Sequence, residues 1–102
     1  MDKVAVIKTA QQYAQKVAIE LNPSAIILYG SHVKGTANAD SDIDVAVVFN
    51  GFDGDWLQTS AMLWKLRRNI SDDIEPILLD RKQDKSGFVE DIFKTGEFLY
   101  SI

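Results

Sequence analysis

Apolar positions first recur at helical spacing. Val6, Ile7, Ala10, Tyr13, Ala14, Val17, Ala18 and Leu21 form one stripe between lysines and glutamines, which predicts an amphipathic helix over residues 2–21. Asp2 is placed to cap it, and Asn22-Pro23 to end it, because a residue before proline avoids the α region. The pattern then shortens. Ala25–Tyr29 and Ile43–Phe49 are brief runs rich in β-branched residues and bounded by turn formers, which predicts two buried strands.

A turn-rich loop over 50–55 precedes a second helical stretch, 56–69, with Asp53 or Asp55 as its cap. One stripe there carries Leu57, Ala61, Trp64 and Arg68, and another Trp56, Ser60, Leu63 and Arg67. Two stripes are more apolar surface than one sheet face needs. Core packing is the expected role of Trp56 and Trp64, with a partner surface as the alternative. Residues 73–79 read as a third strand, and Pro76 places it at a sheet edge or marks the strand's beginning. Ser86 is placed to cap a last helix bearing Val89, Ile92 and Phe93. Gly96 closes that helix, and residues 97–102 form a short strand or a tail.

Candidate chemistry lies between the first two strands. Gly30-Ser31 ends one, residues 32–41 intervene, and Asp42-x-Asp44 opens the other. Side chains alternate along a strand, so Asp42 and Asp44 project from one face while Ile43 and Val45 turn to the core. Two adjacent carboxylates repel unless a cation lies between them, and an all-oxygen pair suits Mg²⁺, which is held by one or two carboxylates plus substrate phosphates. Gly30 lets the backbone approach a ligand. Ser31 can cap a short helix through Val33 and Lys34, leaving amides to meet a phosphate.

Together these parts describe a triphosphate seated on Gly30-Ser31 and clamped through metal to Asp42 and Asp44. For one ligand to touch both, the two strands must run antiparallel. A strand, helix, strand unit is right-handed and parallel, so the third strand starts on the same sheet edge and Glu75 can reach the site. Asp73, two residues earlier on the same face, competes for that position. Lys34 offers an added charge to the phosphates. His32 either donates to a phosphate or is an ordinary surface histidine, the blander role being favoured.

At 102 residues the chain reads as one domain over 1–102, whose folding buries about 60–70% of its surface. An apolar share of 46% and a charged share of 25% fit a soluble globular protein. Without cysteine there is no disulfide framework and no thiolate zinc site. No apolar run suggests a membrane span and no leader is apparent, so the expected location is the cytoplasm. A net charge of −4 and a pI near 4.8 argue against polymer nucleic acid as a partner. A nucleoside triphosphate stays compatible, because its charge is met locally.

Gly30-Ser31 followed at this spacing by Asp42-x-Asp44, with strands on both sides, resembles the signature of the DNA polymerase β-type nucleotidyltransferase superfamily. The chain is also similar in length to its minimal nucleotidyltransferase (MNT) domains. The resemblance implies an α/β (α+β) polymerase β-like fold, a small mixed sheet with helices packed on it. It implies transfer of a nucleotidyl group, with ATP as donor of AMP, to a hydroxyl, and pyrophosphate as the leaving group. Two Mg²⁺ ions about 3.5–4 Å apart would sit on Asp42 and Asp44. Glu75 aligns with the third carboxylate, which would hold the acceptor-side metal and could take the hydroxyl proton. Family members commonly have Asp there, and Glu adds a methylene. Ser31 and the amides near Gly30 would hold the terminal phosphates.

Larger relatives carry a further domain that contacts nucleoside and acceptor. Minimal members commonly pair instead with a small helical HEPN protein, often as the antitoxin of a toxin–antitoxin pair, some by adenylylating a tyrosine of the toxin. The resemblance thus implies a HEPN-type protein partner, and a homo-oligomer is also compatible. Two other readings stand beside it: a module that neutralises its partner by contact alone, and a small-molecule nucleotidyltransferase whose second subunit supplies the acceptor pocket.

Overall fold

The first helix begins and ends on side chains that the sequence singles out. In a computed structural model, which describes residues 2–38 and 40–102, α1 (Lys3–Leu21) starts with the Asp2 carboxylate accepting from the Ala5 N–H at 2.8 Å. It stops at Asn22, which is left-handed (φ 50°, ψ 56°) and donates its N–H to the Ala18 carbonyl at 3.0 Å. Asn22 thus escapes the right-handed region ahead of Pro23 by turning to the left-handed one, which asparagine tolerates.

The chain continues as β1 (Ala25–Tyr29), the short helix α2 (Ser31–Lys34), β2 (Ile43–Phe49), α3 (Trp56–Leu66), β3 (Ile74–Asp80), a 3₁₀ turn (Arg81–Gln83), α4 (Phe88–Thr95) and β4 (Glu97–Ser101). The strands form one mixed sheet in the order β3-β2-β1-β4. β1 runs antiparallel to β2 and β4, and β2 runs parallel to β3. The last residues are therefore a strand rather than a tail. β3 sits at the edge, where Pro76, lacking an N–H, leaves no donor unmatched.

Alternation along the strands divides the core between two sheet faces. Ile26, Leu28, Val45, Val47, Ile74 and Leu78 pack with Val6, Tyr13 and Val17 of α1 and Leu63 of α3. Ala25, Ile27, Ala46 and Val48 pack with Val89 and Ile92 of α4 on the opposite face. The buried Tyr13 hydroxyl donates to the Leu63 carbonyl at 2.7 Å and ties α1 to α3. Burial raises the pKa of this phenol, against the lowering effect of Arg67. Tyr13→Phe is expected to cost about 1–3 kcal/mol in denaturant unfolding, because it leaves the Leu63 carbonyl without this partner.

α3 departs from expectation. It ends at Leu66, and of its residues Leu63 alone is buried. Trp56 and Trp64 are each 43% exposed and Leu57 is 82% exposed, so the expected core role of the tryptophans is corrected. The reason lies in the sheet: α3 packs on β3, an edge strand, so it has apolar surface beneath one stripe and solvent over the other. The Arg67 guanidinium covers part of Trp64, 4.7 Å from its ring centre.

Loop carboxylates do more than the sequence suggests. Asp55 caps α3 through the Gln58 N–H at 3.0 Å. Ser86 Oγ accepts from the Phe88 N–H at the start of α4 at 3.3 Å, and Asp84 joins it, accepting from the Val89 and Glu90 N–H groups at 2.9 and 3.0 Å. Asp80 accepts from the N–H groups of Phe52, Gly51 and Lys82, and these bonds, Phe52 first, hold its carboxyl below its ordinary pKa. Among the described residues, no helix is long and apolar enough to cross a membrane.

Candidate active site

Antiparallel pairing of β1 with β2 sets Tyr29 opposite Asp44. Parallel pairing of β2 with β3 sets Asp44 opposite Glu75. Register partners project from the same face, so Tyr29, Asp44 and Glu75 stand in one row across three strands, about 4.8 Å apart from strand to strand. The turn at Gly30 follows directly on one end of that row. Asp42 lies just before β2 and is exposed.

Gly30 has φ +82° and ψ −150°. A Cβ built there would lie 2.3 Å from Asp44 Oδ2 and 3.2 Å from its Cγ. Glycine is thus required for the approach of the Asp44 carboxylate, a reason that the sequence does not display. The expected capping role of Ser31 is corrected as well. Gly30 occupies the cap position, with no side-chain cap, and its carbonyl accepts from the Val33 and Lys34 N–H groups at 3.1 and 3.0 Å. Ser31 is the first helical residue, so among the described residues its N–H and that of His32 lie outside the bonds of α2.

The acids sense one another. The Asp44 carboxyl is held above its usual pKa by burial and then by the charge of Asp42, with His32 opposing. Glu75 is raised by desolvation, by the charge of Asp42, by a hydrogen bond between the two carboxyls and by Asp44, with Arg67 opposing. The Tyr29 phenol is pushed up to about 12 by burial, then by Asp44 and Glu75. The His32 Nε2 lies 3.4 Å from the Ser41 carbonyl oxygen. Lys34 is exposed at the end of α2, and among the described residues it makes no ion pair. Asp73 precedes β3, exposed, and its carbonyl accepts from the Ile43 N–H at 2.8 Å.

Among the described residues, no three acidic or imidazole side chains form a ready-made metal cage. The donor set nevertheless fits a hard divalent cation. Its ligands are oxygens, and the raised pKa of Asp44 and of Glu75, with Asp42 adding its charge to both, marks an anionic site that His32 and Arg67 do not offset. Because Asp44 and Glu75 are register partners, rotation of the side chains suffices to bring their oxygens toward one ion.

This strain has a measurable sign. A carboxylate with a raised folded pKa binds more protons folded than unfolded, so stability falls as pH rises from the ordinary carboxylate range, about 4, through the raised values of Asp44 and Glu75. Glu75→Gln is expected to melt slightly above the wild type at pH 7 in EDTA. The gap should narrow toward pH 4 and on adding Mg²⁺. Thermal melts at the two pH values check this. Asp80 acts oppositely: its stabilisation is present above the ordinary carboxylate range and is lost as pH falls through its lowered value.

Sequence reasoning overlooked Tyr29 and Arg67. Tyr29 was legible in principle, because it adjoins Gly30 and antiparallel pairing had to bring it near Asp44. Arg67 was not, since its approach to β3 depends on the turn after α3, where it donates to the carbonyls of Asp72 and Ile74.

With this geometry in view, comparison with known proteins assigns the class. The family described as polymerase β nucleotidyltransferase matches residues 8–102. The chain belongs to that family. A candidate nucleotidyltransferase from Sulfolobus solfataricus has a similar fold, with a TM-score of 0.72 and 21% identity over 97% of this chain and 83% of its own. A toxin–antitoxin structure with AMP-PNP gives a TM-score of 0.60 and 21% identity over 90% of this chain and 73% of its own. A mutant of the toxin–antitoxin MntA-HpeT gives 0.60 and 19% over the same shares. No curated protein matches the chain.

Proposed function

We propose that this chain transfers AMP from ATP to a hydroxyl on a protein partner, with pyrophosphate leaving. The observation that carries the reading is the meeting of the Gly30-Ser31 turn with Asp44 and Glu75 at one rim, so close that only glycine fits beside Asp44. Asp42, Asp44 and Glu75 would hold divalent ions, Mg²⁺ by preference for oxygen. Ions held there supply charge stabilisation to the oxygens of an in-line displacement. Gly30, Ser31 and the free amides at the start of α2 hold the terminal phosphates, with Lys34 as an outer charge. Glu75 takes the proton of the attacking hydroxyl. Positioning and electrostatics supply most of the acceleration.

The choice of ATP and of a protein acceptor is supported by the folds in its neighbourhood, which include a toxin–antitoxin pair with AMP-PNP. A helical HEPN-type toxin is the proposed acceptor. The contact-only reading draws on one observation, the uncovered stripe of α3 with Leu57 82% and Trp64 43% exposed. Incubation with α-labelled ATP, Mg²⁺ and a co-purified partner separates the two. Label transfer that vanishes in Asp42→Ala and Asp44→Ala supports transfer. A stable, unlabelled complex that neutralises its partner despite those changes supports contact alone.

A further inference from the structure

The row of Tyr29, Asp44 and Glu75 is charged at one end and aromatic at the other. Phe88, the first residue of α4, stands edge-on to Tyr29, with ring centres 5.8 Å apart and planes at 87°. Phe88 is 40% exposed and Tyr29 is partly exposed, although α4 buries Val89 and Ile92 in the same sheet face. Behind Phe88 opens a cleft of about 330 Å³ whose apolar lining includes Leu79, Val89 and Trp56, with Asp80, Gln83, Asp84 and Ser86 at its border.

We infer that Tyr29 and Phe88 form the wall that receives the base of the nucleoside triphosphate. This deepens the transfer reading and rests on it. A triphosphate held at Gly30-Ser31 and at the acids is anchored one strand from Tyr29, so its nucleoside must leave the phosphates across the open sheet face or into solvent. Along that face, Tyr29 at the end of the row and Phe88 at the start of α4 present an aromatic surface. A purine laid against the Phe88 ring gains stacking and covers the exposed edge. The amide of Gln83 and the hydroxyl of Ser86 offer hydrogen bonds to its rim, beside the Asp80 and Asp84 carboxylates, which already accept backbone N–H groups. The chain thus has, within its own sheet and last helix, a surface for the base.

The test is titration calorimetry of the whole chain with Mg²⁺ plus ATP, and with Mg²⁺ plus inorganic tripolyphosphate, which keeps the phosphates and lacks the nucleoside. Phe88→Ala is expected to weaken ATP binding about tenfold or more while leaving tripolyphosphate within twofold, and Phe88→Trp is expected to restore ATP. Unchanged ATP binding in Phe88→Ala overturns the inference. If label transfer to the acceptor falls while ATP binding holds, the wall serves the acceptor instead, and the inference also fails. Equal weakening of both ligands marks a structural effect and overturns it too. A wild type that binds ATP with this profile but transfers no label retires the transfer reading and leaves the base wall standing. One that binds neither ligand retires both.

Discussion

Asp44→Asn is expected to lower kcat/KM for label transfer from α-labelled ATP on the order of 10³-fold, equivalent to about 4 kcal/mol of transition-state stabilisation. The change removes charge and preserves shape. Asn fits the space beside Gly30 that Asp44 Oδ2 occupies, so the turn and the strand register should persist. What is lost is the central acid of the site, flanked by Asp42 and by its register partner Glu75. Stability should move the other way. Burial and the Asp42 charge already disfavour the ionised form of Asp44, so a neutral residue relieves the metal-free fold, and the melting temperature in EDTA should hold or rise. A variant that loses activity while gaining stability separates a functional carboxylate from a structural one. Retention of more than a tenth of wild-type transfer would remove Asp44 from the proposed machinery.

The elements were legible where one chain segment decides its own form. The stripe from Val6 to Leu21 and the runs around Ile27 and Val45 carry their period in the sequence, and Asp2 and Asp55 cap helices through N–H groups only three residues away. The antiparallel and parallel pairings followed from the need for one ligand to touch Gly30 and Asp42, and from the handedness of the crossover. What escaped depended on distant neighbours. Trp64 looked like core because its own helix is amphipathic, but its exposure is set by β3 having no strand beyond it. The reason for Gly30 lies in a carboxylate fourteen positions later, Asp44, and the partner of Tyr29 in a ring on another helix, Phe88. Such facts belong to packing, and a local pattern cannot carry them.

Gly30→Ala should couple a loss of stability to a loss of function, and Gly35→Ala separates the causes. Both glycines have positive φ, +82° and +77°, so alanine at either is strained by about 1–3 kcal/mol. For a domain near this size, each kcal/mol lowers the melting temperature by about 4–8 °C. At Gly35 a Cβ meets nothing within 4 Å among the described residues, so strain is the main cost and transfer should stay near the wild-type rate. At Gly30 the Cβ collides with Asp44 Oδ2, and either the carboxylate swings away or β1 separates from β2. Each response moves the proposed phosphate seat relative to the acids, and a misplacement of about 1 Å can cost 10²-fold in rate. Gly30→Ala is therefore expected to melt below Gly35→Ala and to transfer label about 10²-fold more slowly, measured at a temperature where both variants remain folded. Equal transfer by the two variants would show that the close packing of the turn against Asp44 does not govern the chemistry.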